Sequence, residues 1–297
     1  MSENQLYLSG FTFIKNGVTL GYPFVESIKS IAELCDEVII NVGFDDPNLS
    51  HDDGTYALIV AEFSSPKFKI LKNWWDPKVC KDGRILSQQT NLALKECRGK
   101  YCLYIQGDEV IHERDINVIQ KSLVEMDANP QSEGLVFQYI HFYGNTNIIK
   151  QTRNVYRREV RLIRNHSKIV SWLDAQGFRH EDESKIKCLE TKARIFHYGW
   201  ARKENIMNQK VKSFSKLYHG ENFENKDFAY EKIWGLKPFH GDHPKVMNNW
   251  IKLHQNDLDL SKMPSKFKWS ELRLMLSDSI EALTGFRIGE YKNFILL

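Results

Sequence analysis

The chain has 297 residues, of which 42% are hydrophobic and 27% charged, and its formal net charge is only +3. This ordinary globular balance excludes a largely disordered chain and argues against a dedicated nucleic-acid binder, which carries a strongly basic face. The five cysteines form no CxxC pair, so neither a zinc ribbon nor a disulfide framework is indicated, and a reducing compartment fits best.

The first part of the chain alternates between strand-like and helix-like patterns. These patterns predict, in chain order, strand 5–14, helix 22–35, strand 37–42, helix 56–63, strand 68–72, helix 84–97 and strand 100–105. Such an order predicts a parallel sheet with helices on both faces, so the fold class is α/β. Ligands of these sheets bind at the carboxyl ends of the strands.

The pattern weakens in the second part of the chain. It predicts helix 113–128, strands 134–143, 158–164 and 193–198, and helices 201–218 and 269–284. Residues 165–190 are predicted to form a long loop over the site, and residues 235–266, rich in Pro, His and Asn, to be irregular. We therefore expect a catalytic α/β body over residues 1–200 and a helical C-terminal extension over residues 201–297.

A turn with two acidic residues, Gln106-Gly107-Asp108-Glu109, follows the predicted strand at 100–105. It is therefore expected at the carboxyl edge of the sheet. A divalent cation that bridges a carboxylate to a diphosphate neutralises a leaving group, and Mg²⁺ or Mn²⁺ needs only one or two carboxylates plus phosphate oxygens. The turn is thus a candidate site for a metal and a diphosphate, although solvated loops also carry acids.

Several segments, in this order, resemble the inverting family 2 glycosyltransferases of the GT-A fold over roughly residues 6–200. They are LSGFTFIKNG, YPFVESIKSI, CDEVIINVGFDD, QQTNLALKECRGKYCLYIQGDEVI, Arg179-His180-Glu181 and FHYGW at 196–200. The resemblance implies a Rossmann-like, mostly parallel sheet flanked by helices. It also implies transfer of a sugar from a nucleotide-sugar donor to a saccharide acceptor with inversion. We expect the donor to be UDP-linked. Surface polysaccharide or lipopolysaccharide biosynthesis is the usual setting of such enzymes.

The resemblance also implies roles around the acidic turn. Asp108 matches the last acid of the family's Asp-x-Asp motif, which binds the metal, Mn²⁺ or Mg²⁺. His197 matches a second metal ligand, with a hydrogen-bonded core histidine as the alternative. Gln106 departs from the motif, because it can hydrogen-bond a sugar hydroxyl but brings no charge, and metal affinity is expected to be lower. Glu109 is expected to orient the turn or contact the donor sugar.

Inverting transfer needs a carboxylate that removes the proton of the acceptor hydroxyl. The acidic stretch at residues 172–183 supplies the candidates. Glu181, in the His-Glu step of the resemblance, is the first candidate for this base, and Asp174 is the second. A solvated loop is the alternative explanation for either residue.

The early loops are expected to hold the donor. The expected contacts to the nucleotide or donor sugar are Phe13, Ile14, Asn16, Asp45, Asp46, Arg84, Gln88 and Arg202. In similar enzymes, an acid after the second strand hydrogen-bonds the pyrimidine, and we expect Phe13 to pack against the base. Cations near phosphate are favourable, although for Arg84 an exposed surface cation is the preferred explanation.

Two rival functions are kept open. A nucleotidyltransferase would carry a Gly-rich, basic loop after the first strand, whereas residues 12–17 hold one Gly and one Lys. A nucleotide- or glycan-binding module without catalysis is compatible with Gln106.

The expected location is the cytoplasm. The amino-terminal segment does not look like a signal peptide, and no apolar run approaches the roughly 18–20 residues that span a bilayer. The basic stretch 262–268 leaves open a peripheral contact with a membrane or a lipid-linked saccharide acceptor.

Overall fold

The computed structural model describes residues 7–79, 82–166, 168–219, 227–256, 258–264, 268–287 and 292–297. The start of the predicted strand at 5–14 and part of the basic stretch 262–268 lie outside these residues.

The first part of the chain alternates as its sequence predicts. The elements are β1 (Leu8–Ile14), α1 (Phe24–Ala32), β2 (Glu37–Phe44), α2 (Thr55–Glu62), β3 (Phe68–Trp74), α3 (Arg84–Leu94), β4 (Tyr101–Tyr104), β5 (Glu109–Ile111) and α4 (Ile116–Ala128). The strand β5 was not predicted. A single 3-10 turn over Glu113–Asp115 precedes α4, so the α-helix begins later than the predicted residue 113.

The second part of the chain adds strands before it turns mainly helical. Its elements are β6 (Gly134–Tyr143), β7 (Asn145–Lys150), β8 (Arg158–Arg164), β9 (Ile169–Trp172), β10 (Gly177–His180), β11 (Lys187–Trp200), α5 (Glu204–His219), β12 (Leu236–Pro238), α6 (Asn248–His254), α7 (Trp269–Thr284) and β13 (Ile295–Leu296).

The central sheet is parallel on one side and mixed on the other. Its strands follow the order β12-β7-β6-β8-β4-β1-β2-β3. The strands β4, β1, β2 and β3 pair in parallel, whereas β8 runs antiparallel to both β4 and β6. The long strand β11 pairs in parallel with β6 and antiparallel with β5. The predicted α/β class, a largely parallel sheet flanked by helices, is confirmed.

Burial on both faces of the sheet explains its apolar strands. All eight residues of β2 are buried. Val38 and Ile40 pack with α1 and α4 on one face, whereas Ile39 packs with α3 and with Phe178 of β10 on the other. A central strand covered on both faces reads as a continuous apolar run, which is why β2 was predictable.

The prediction of a long loop over residues 165–190 is wrong. β9 and β10 form an antiparallel hairpin in this range, and β11 already begins at Lys187. The hairpin turn contains Leu173 and Ala175 in left-handed conformations, with φ of 47° and 60°. Gly, Asn and Asp are the residues that usually signal such positions, so the sequence of this turn gave no hairpin signal.

The region after residue 200 also differs from its prediction. The stretch 235–266, predicted to be irregular, contains β12 and α6. β12 pairs with β7 and β13 pairs with β11, so the two strands join the central sheet. The division at residue 200 into a body and a helical extension stays a prediction. No helix within the described ranges is long and apolar enough to cross a membrane.

Candidate functional site

A cleft of about 720 Å³ opens beyond the carboxyl ends of β1, β2 and β4. This is the edge where open α/β sheets bind their ligands. One wall consists of the loops after β1 and β2, and the turn between β9 and β10 forms another. The helix α5 contributes a row of residues from Lys210 to Tyr218. Predicted site residues in the lining are Phe13, Ile14, Asn16, Asp45, Gln106, Asp108, Asp174 and His197.

Glu109 anchors the acidic turn from behind the cleft. Its carboxylate is fully buried and accepts two hydrogen bonds from Arg161, at 2.7 and 2.8 Å. Tyr139 donates a third, at 2.8 Å, and the backbone N–H of Gln106 a fourth, at 3.1 Å. These partners occupy both oxygens, so Glu109 orients the turn and does not line the cleft.

Strand register brings Asp108 and His197 together. Glu109 of β5 lies opposite His197 of β11, and the N–H of Tyr198 donates to the carbonyl of Asp108 at 2.8 Å. Asp108 Oδ2 consequently lies 3.7 Å from His197 Nε2. The two residues are far apart in sequence, and the antiparallel β5–β11 pair is what makes them neighbours.

Positive groups surround Asp108. Its Oδ2 lies 3.1 Å from Lys210 Nζ and 3.8 Å from Arg202 NH2. Burial alone would raise the pKa of Asp108, but the charge of Lys210, with that of Arg202 behind it, holds this pKa well below its usual value. Asp108 is therefore ionised at neutral pH although its side chain is almost fully buried.

Lys210 and Arg202 approach Asp108 in different ways. Lys210 lines the cleft and also donates to the carbonyl of Gly199 at 2.8 Å. Burial lowers the pKa of Lys210 to about 8, against the opposing effect of Asp108. Arg202 is fully buried beside the cleft and donates to the carbonyls of Leu20 and Gly199. Arg202 was expected to contact the donor, but it does not line the cleft and lies behind Asp108.

Sequence reasoning missed Lys210, although a signal was present. Lys210 falls on the same helical face as Met207, Phe214 and Leu217, which is otherwise apolar. A lysine within the buried stripe of an amphipathic helix is unusual, because burying an ammonium group requires a partner. Asp108 is that partner.

A chain of hydrogen bonds orients the ring of His197. His141 Nε2 lies 2.6 Å from the carbonyl of Tyr156, so this nitrogen donates. Burial holds the pKa of His141 well below its usual value, so the ring is neutral and its Nδ1 accepts. The partner at 2.9 Å is His197 Nδ1, which therefore donates. When the His197 ring is neutral, its lone pair therefore lies on Nε2, which faces Asp108.

Asp108 and His197 fit one side of a divalent-ion site. Two acceptor atoms facing each other at 3.7 Å can share an ion at bond lengths of about 2.1 Å. Gly199 keeps the space beside them open, because a Cβ there would lie 2.4 Å from His197 Nε2 and 2.8 Å from Asp108 Oδ2. No group of three or more His, Cys, Asp or Glu side chains suited to a metal occurs in the described part of the chain. A ligand diphosphate would have to complete the shell.

The turn between β9 and β10 presents Asp174 to the cleft. Tyr218 of α5 donates to Asp174 Oδ2 at 3.1 Å. Gln106 donates to the carbonyl of Ala175 at 3.2 Å, which ties this turn to the acidic turn. Gln176 donates to buried Glu159, and burial raises the pKa of Glu159 to about 7. Asp174 is thus held between two anchored neighbours, with a neutral hydroxyl beside it.

Aromatic rings and an ion pair form the wall beyond β1. The rings of Phe13 and Trp75 lie 5.7 Å apart. Lys15 pairs with Asp45 at 2.7 Å and lies over the Trp75 ring. Trp75 and Lys15 were not predicted as site residues. They lie in the loops that follow β3 and β1, so the same strand-end rule could have found them.

Besides Glu109 and Arg202, four further expected site residues do not line the cleft. Asp46 folds back on its own loop and accepts from the backbone N–H groups of residues 48, 50 and 51. Arg84 and Gln88 are exposed at the first turns of α3. Glu181 is exposed, and its neighbour His180 contacts Glu133, next to the first residue of β6. His141 marks the cleft end of β6, so Glu181 lies toward the opposite end, which argues against it as the base.

Known proteins show only distant similarity to this chain. No family model matches it, and the search of curated proteins finds no match. A crystal structure of S. aureus TarS 1-349 is similar at 12% identity and a TM-score of 0.38, over 73% of this chain and 67% of that chain. TarS 1-349 in complex with UDP-GlcNAc is similar at 14% identity and 0.35, over 54% and 45%.

The mannosyltransferase PcManGT from Pyrobaculum calidifontis, in complex with GDP-Man and Mn²⁺, is similar at 15% identity and a TM-score of 0.32. The similarity covers 45% of this chain and 35% of that chain. Similarity this low does not bear on the activity of the present chain.

Proposed function

We propose that this chain is a glycosyltransferase of the GT-A type. In this proposal it moves a sugar from a nucleoside-diphosphate donor to a hydroxyl of a saccharide acceptor, with inversion. The observation that carries the proposal is one cleft that holds two carboxylates. Asp108 is ionised and flanked by Lys210 and Arg202, whereas Asp174 accepts a hydrogen bond from the neutral hydroxyl of Tyr218. The first suits a diphosphate site and the second suits a base.

The loops after β1 and β2 would hold the nucleoside. Phe13 and Trp75 offer ring faces for a base, and Asp45 offers a carboxylate that can accept from a base N–H. Lys15, paired with Asp45 at 2.7 Å, keeps that carboxylate at the mouth of the cleft. The preference for a uridine donor rests on the sequence resemblance.

The diphosphate would lie over the acidic turn. A divalent ion, Mn²⁺ or Mg²⁺, held by Asp108 and His197 would neutralise charge on the departing diphosphate. Lys210 lines the cleft beside Asp108 and can donate to phosphate oxygens from its flexible stem. Arg202, fixed by two backbone carbonyls, adds a positive charge that stays in place.

Asp174 would take the proton of the acceptor hydroxyl. As that oxygen bonds to the anomeric carbon, the bond from this carbon to the diphosphate oxygen breaks, and its electron pair leaves with the diphosphate. Tyr218 donates to Asp174 Oδ2, which orients the carboxylate and leaves Oδ1 for the acceptor proton. Attack from the face opposite the diphosphate gives inversion.

The cellular role and location in this proposal rest on the sequence resemblance alone. A role in surface polysaccharide or lipopolysaccharide biosynthesis, a cytoplasmic location, and a peripheral contact with membranes or lipid-linked acceptors are part of the proposal on that ground.

Thermal-shift measurements with nucleotides test the proposal. We expect UDP or GDP to raise the midpoint of unfolding, and to raise it further with Mn²⁺, because a ligand of the folded state stabilises it. Asp108→Asn should lose the metal-dependent part of the shift, whereas the exposed Asp242→Asn control should keep it. No shift with any nucleoside diphosphate would contradict the proposal.

The reaction products separate the enzyme from its rivals. A glycosyltransferase releases a nucleoside diphosphate from a nucleotide sugar. A nucleotidyltransferase would instead release pyrophosphate from a nucleoside triphosphate and a sugar 1-phosphate. A binding module would show the thermal shift and neither product.

A further inference from the structure

We propose that Lys210 occupies the cation position on Asp108 until a diphosphate enters, so that the divalent ion and the nucleotide bind as a coupled pair. The inference rests on the proposed function and adds an order of events to it. In the free protein the ammonium group would exclude the metal. With a diphosphate in the cleft, Lys210 would turn to the phosphates and release Asp108 to the metal.

The first support is the place of the ammonium group. Lys210 Nζ lies 3.1 Å from Asp108 Oδ2, the same oxygen that faces His197 Nε2 at 3.7 Å. It also donates to the carbonyl of Gly199, the residue that borders both metal-ligand atoms. An ion shared by Asp108 and His197 would therefore meet the lysine's charge at close range.

The second support is the charge around Asp108. One carboxylate faces two cationic side chains, Lys210 and Arg202, within 4 Å. A divalent ion would enter a site that already has more positive than negative charge, and like charges at short range in a buried site repel strongly. A nucleoside diphosphate brings two or more negative charges, which reverses this balance.

The third support is the difference between the two cations. Both guanidinium terminal nitrogens of Arg202 donate to backbone carbonyls, so this group stays in place. Lys210 donates to only one backbone carbonyl, that of Gly199, from a flexible four-carbon stem. Its ammonium otherwise lies among the rings of Tyr22, Phe214 and Trp200 at 5.3, 5.4 and 5.8 Å. Contacts with ring faces favour a cation without fixing one direction, so Nζ can shift toward the cleft.

Mn²⁺ binding, measured by the electron paramagnetic resonance signal of the free ion, tests the inference on the full chain. The samples are the wild type, Lys210→Met and Lys210→Arg, each with and without UDP. The control is Lys212→Met, an exposed lysine of the same helix that pairs with Asp227.

For the wild type we expect weak Mn²⁺ binding alone, and binding about 10-fold tighter or more with UDP. Lys210→Met should bind Mn²⁺ alone about 10-fold tighter than the wild type, and UDP should add less, since the competing charge is gone. Lys210→Arg, which keeps the charge, should remain weak without UDP. Lys212→Met should match the wild type.

Equal Mn²⁺ affinity of the wild type with and without UDP would overturn the inference. An unchanged Mn²⁺ affinity in Lys210→Met would also overturn it, provided that this variant melts at the same temperature as the wild type. So would a wild type that binds UDP but takes up no Mn²⁺ in its presence. If UDP and GDP fail to bind any variant, the proposed function fails instead, and the thermal-shift series reports that separately.

Discussion

Asp174 lies between two residues in left-handed conformations, Leu173 and Ala175, with φ of 47° and 60°. Residues without the freedom of glycine cost free energy in this region, so such strain persists where the surrounding structure enforces it. Here the hydrogen bonds from Gln106 to Ala175 and from Tyr218 to Asp174 enforce it. Strained backbone that presents a carboxylate to a cleft is typical of a functional position.

The base assignment gives the first prediction. Asp174→Asn should lower kcat by about 100-fold or more, because general-base catalysis contributes that much, and should leave UDP binding intact. The measurement is release of nucleoside diphosphate in the presence of acceptor. Glu181→Gln, an exposed acid outside the cleft, is the matched control and should keep full activity. If Glu181→Gln loses activity and Asp174→Asn keeps it, the base is Glu181, as the sequence resemblance implies.

His141 gives a prediction about metal binding by Asp108 and His197. His141→Phe removes the acceptor that holds the proton on His197 Nδ1, so His197 can place its proton on Nε2 instead. Mn²⁺ affinity in the presence of UDP should fall by about 10–100-fold, the usual effect of losing such a supporting contact. His141→Asn, whose amide oxygen can accept, should recover part of it. The exposed His240→Asn is the control, and an unchanged Mn²⁺ affinity in His141→Phe would contradict the tautomer assigned to His197.

At the scale of elements, one buried ion pair joins Arg161 of β8 to Glu109, the first residue of β5. The side chains of Arg161 and Glu109 are both fully buried and share two hydrogen bonds. Arg161→Met should lower the free energy of unfolding by about 3–5 kcal/mol, because it leaves a buried carboxylate without its partner. The double variant with Glu109→Gln should recover part of this loss. Urea unfolding measures both, and a loss below 1 kcal/mol in the single variant would contradict the pairing.

Strands and helices were predictable where the local pattern of apolar residues was enough to identify them. The apolar run of β2 and the spacing of apolar residues in α1 follow from burial on the sheet. The β9–β10 hairpin was missed because its turn residues, Leu173 and Ala175, are not those that normally adopt positive φ. β5 is only three residues long, and its pairing with β11 depends on chain contacts that no local pattern records.

The same distinction applies to the candidate site. Asp108 and Asp45 were predicted because they follow strands, and the sheet brings strand ends together. His197 was predicted from the family resemblance of the FHYGW segment. Lys210 comes from a helix after residue 200 and reaches Asp108 across the cleft. Glu181 was misplaced because the hairpin carries its two ends in opposite directions: the turn reaches the cleft, and the end of β10 lies away from it. Such placement depends on tertiary structure.

At the scale of the whole molecule, residues beyond 200 complete both the sheet and the cleft. β13 pairs with β11, and α5 supplies Lys210 and Tyr218 to the cleft. Met247 and Trp250 pack in a core cluster with Phe196 and Tyr198 of β11. The boundary predicted at residue 200 therefore crosses contacts that stabilise the body.

Truncation after residue 203 tests this boundary. The shortened chain would expose the apolar surface that Met247 and Trp250 cover, at a cost of about 1.5–3 kcal/mol for each large side chain that becomes exposed. We expect a lower or non-cooperative thermal transition, faster proteolysis, and no shift with UDP, because Asp108 loses Lys210. A chain truncated after residue 219 is the comparison, since it keeps α5 and with it Lys210. If the truncated chain melts cooperatively and binds UDP, the body is an independent domain, and the helical part serves another purpose than completing the donor site.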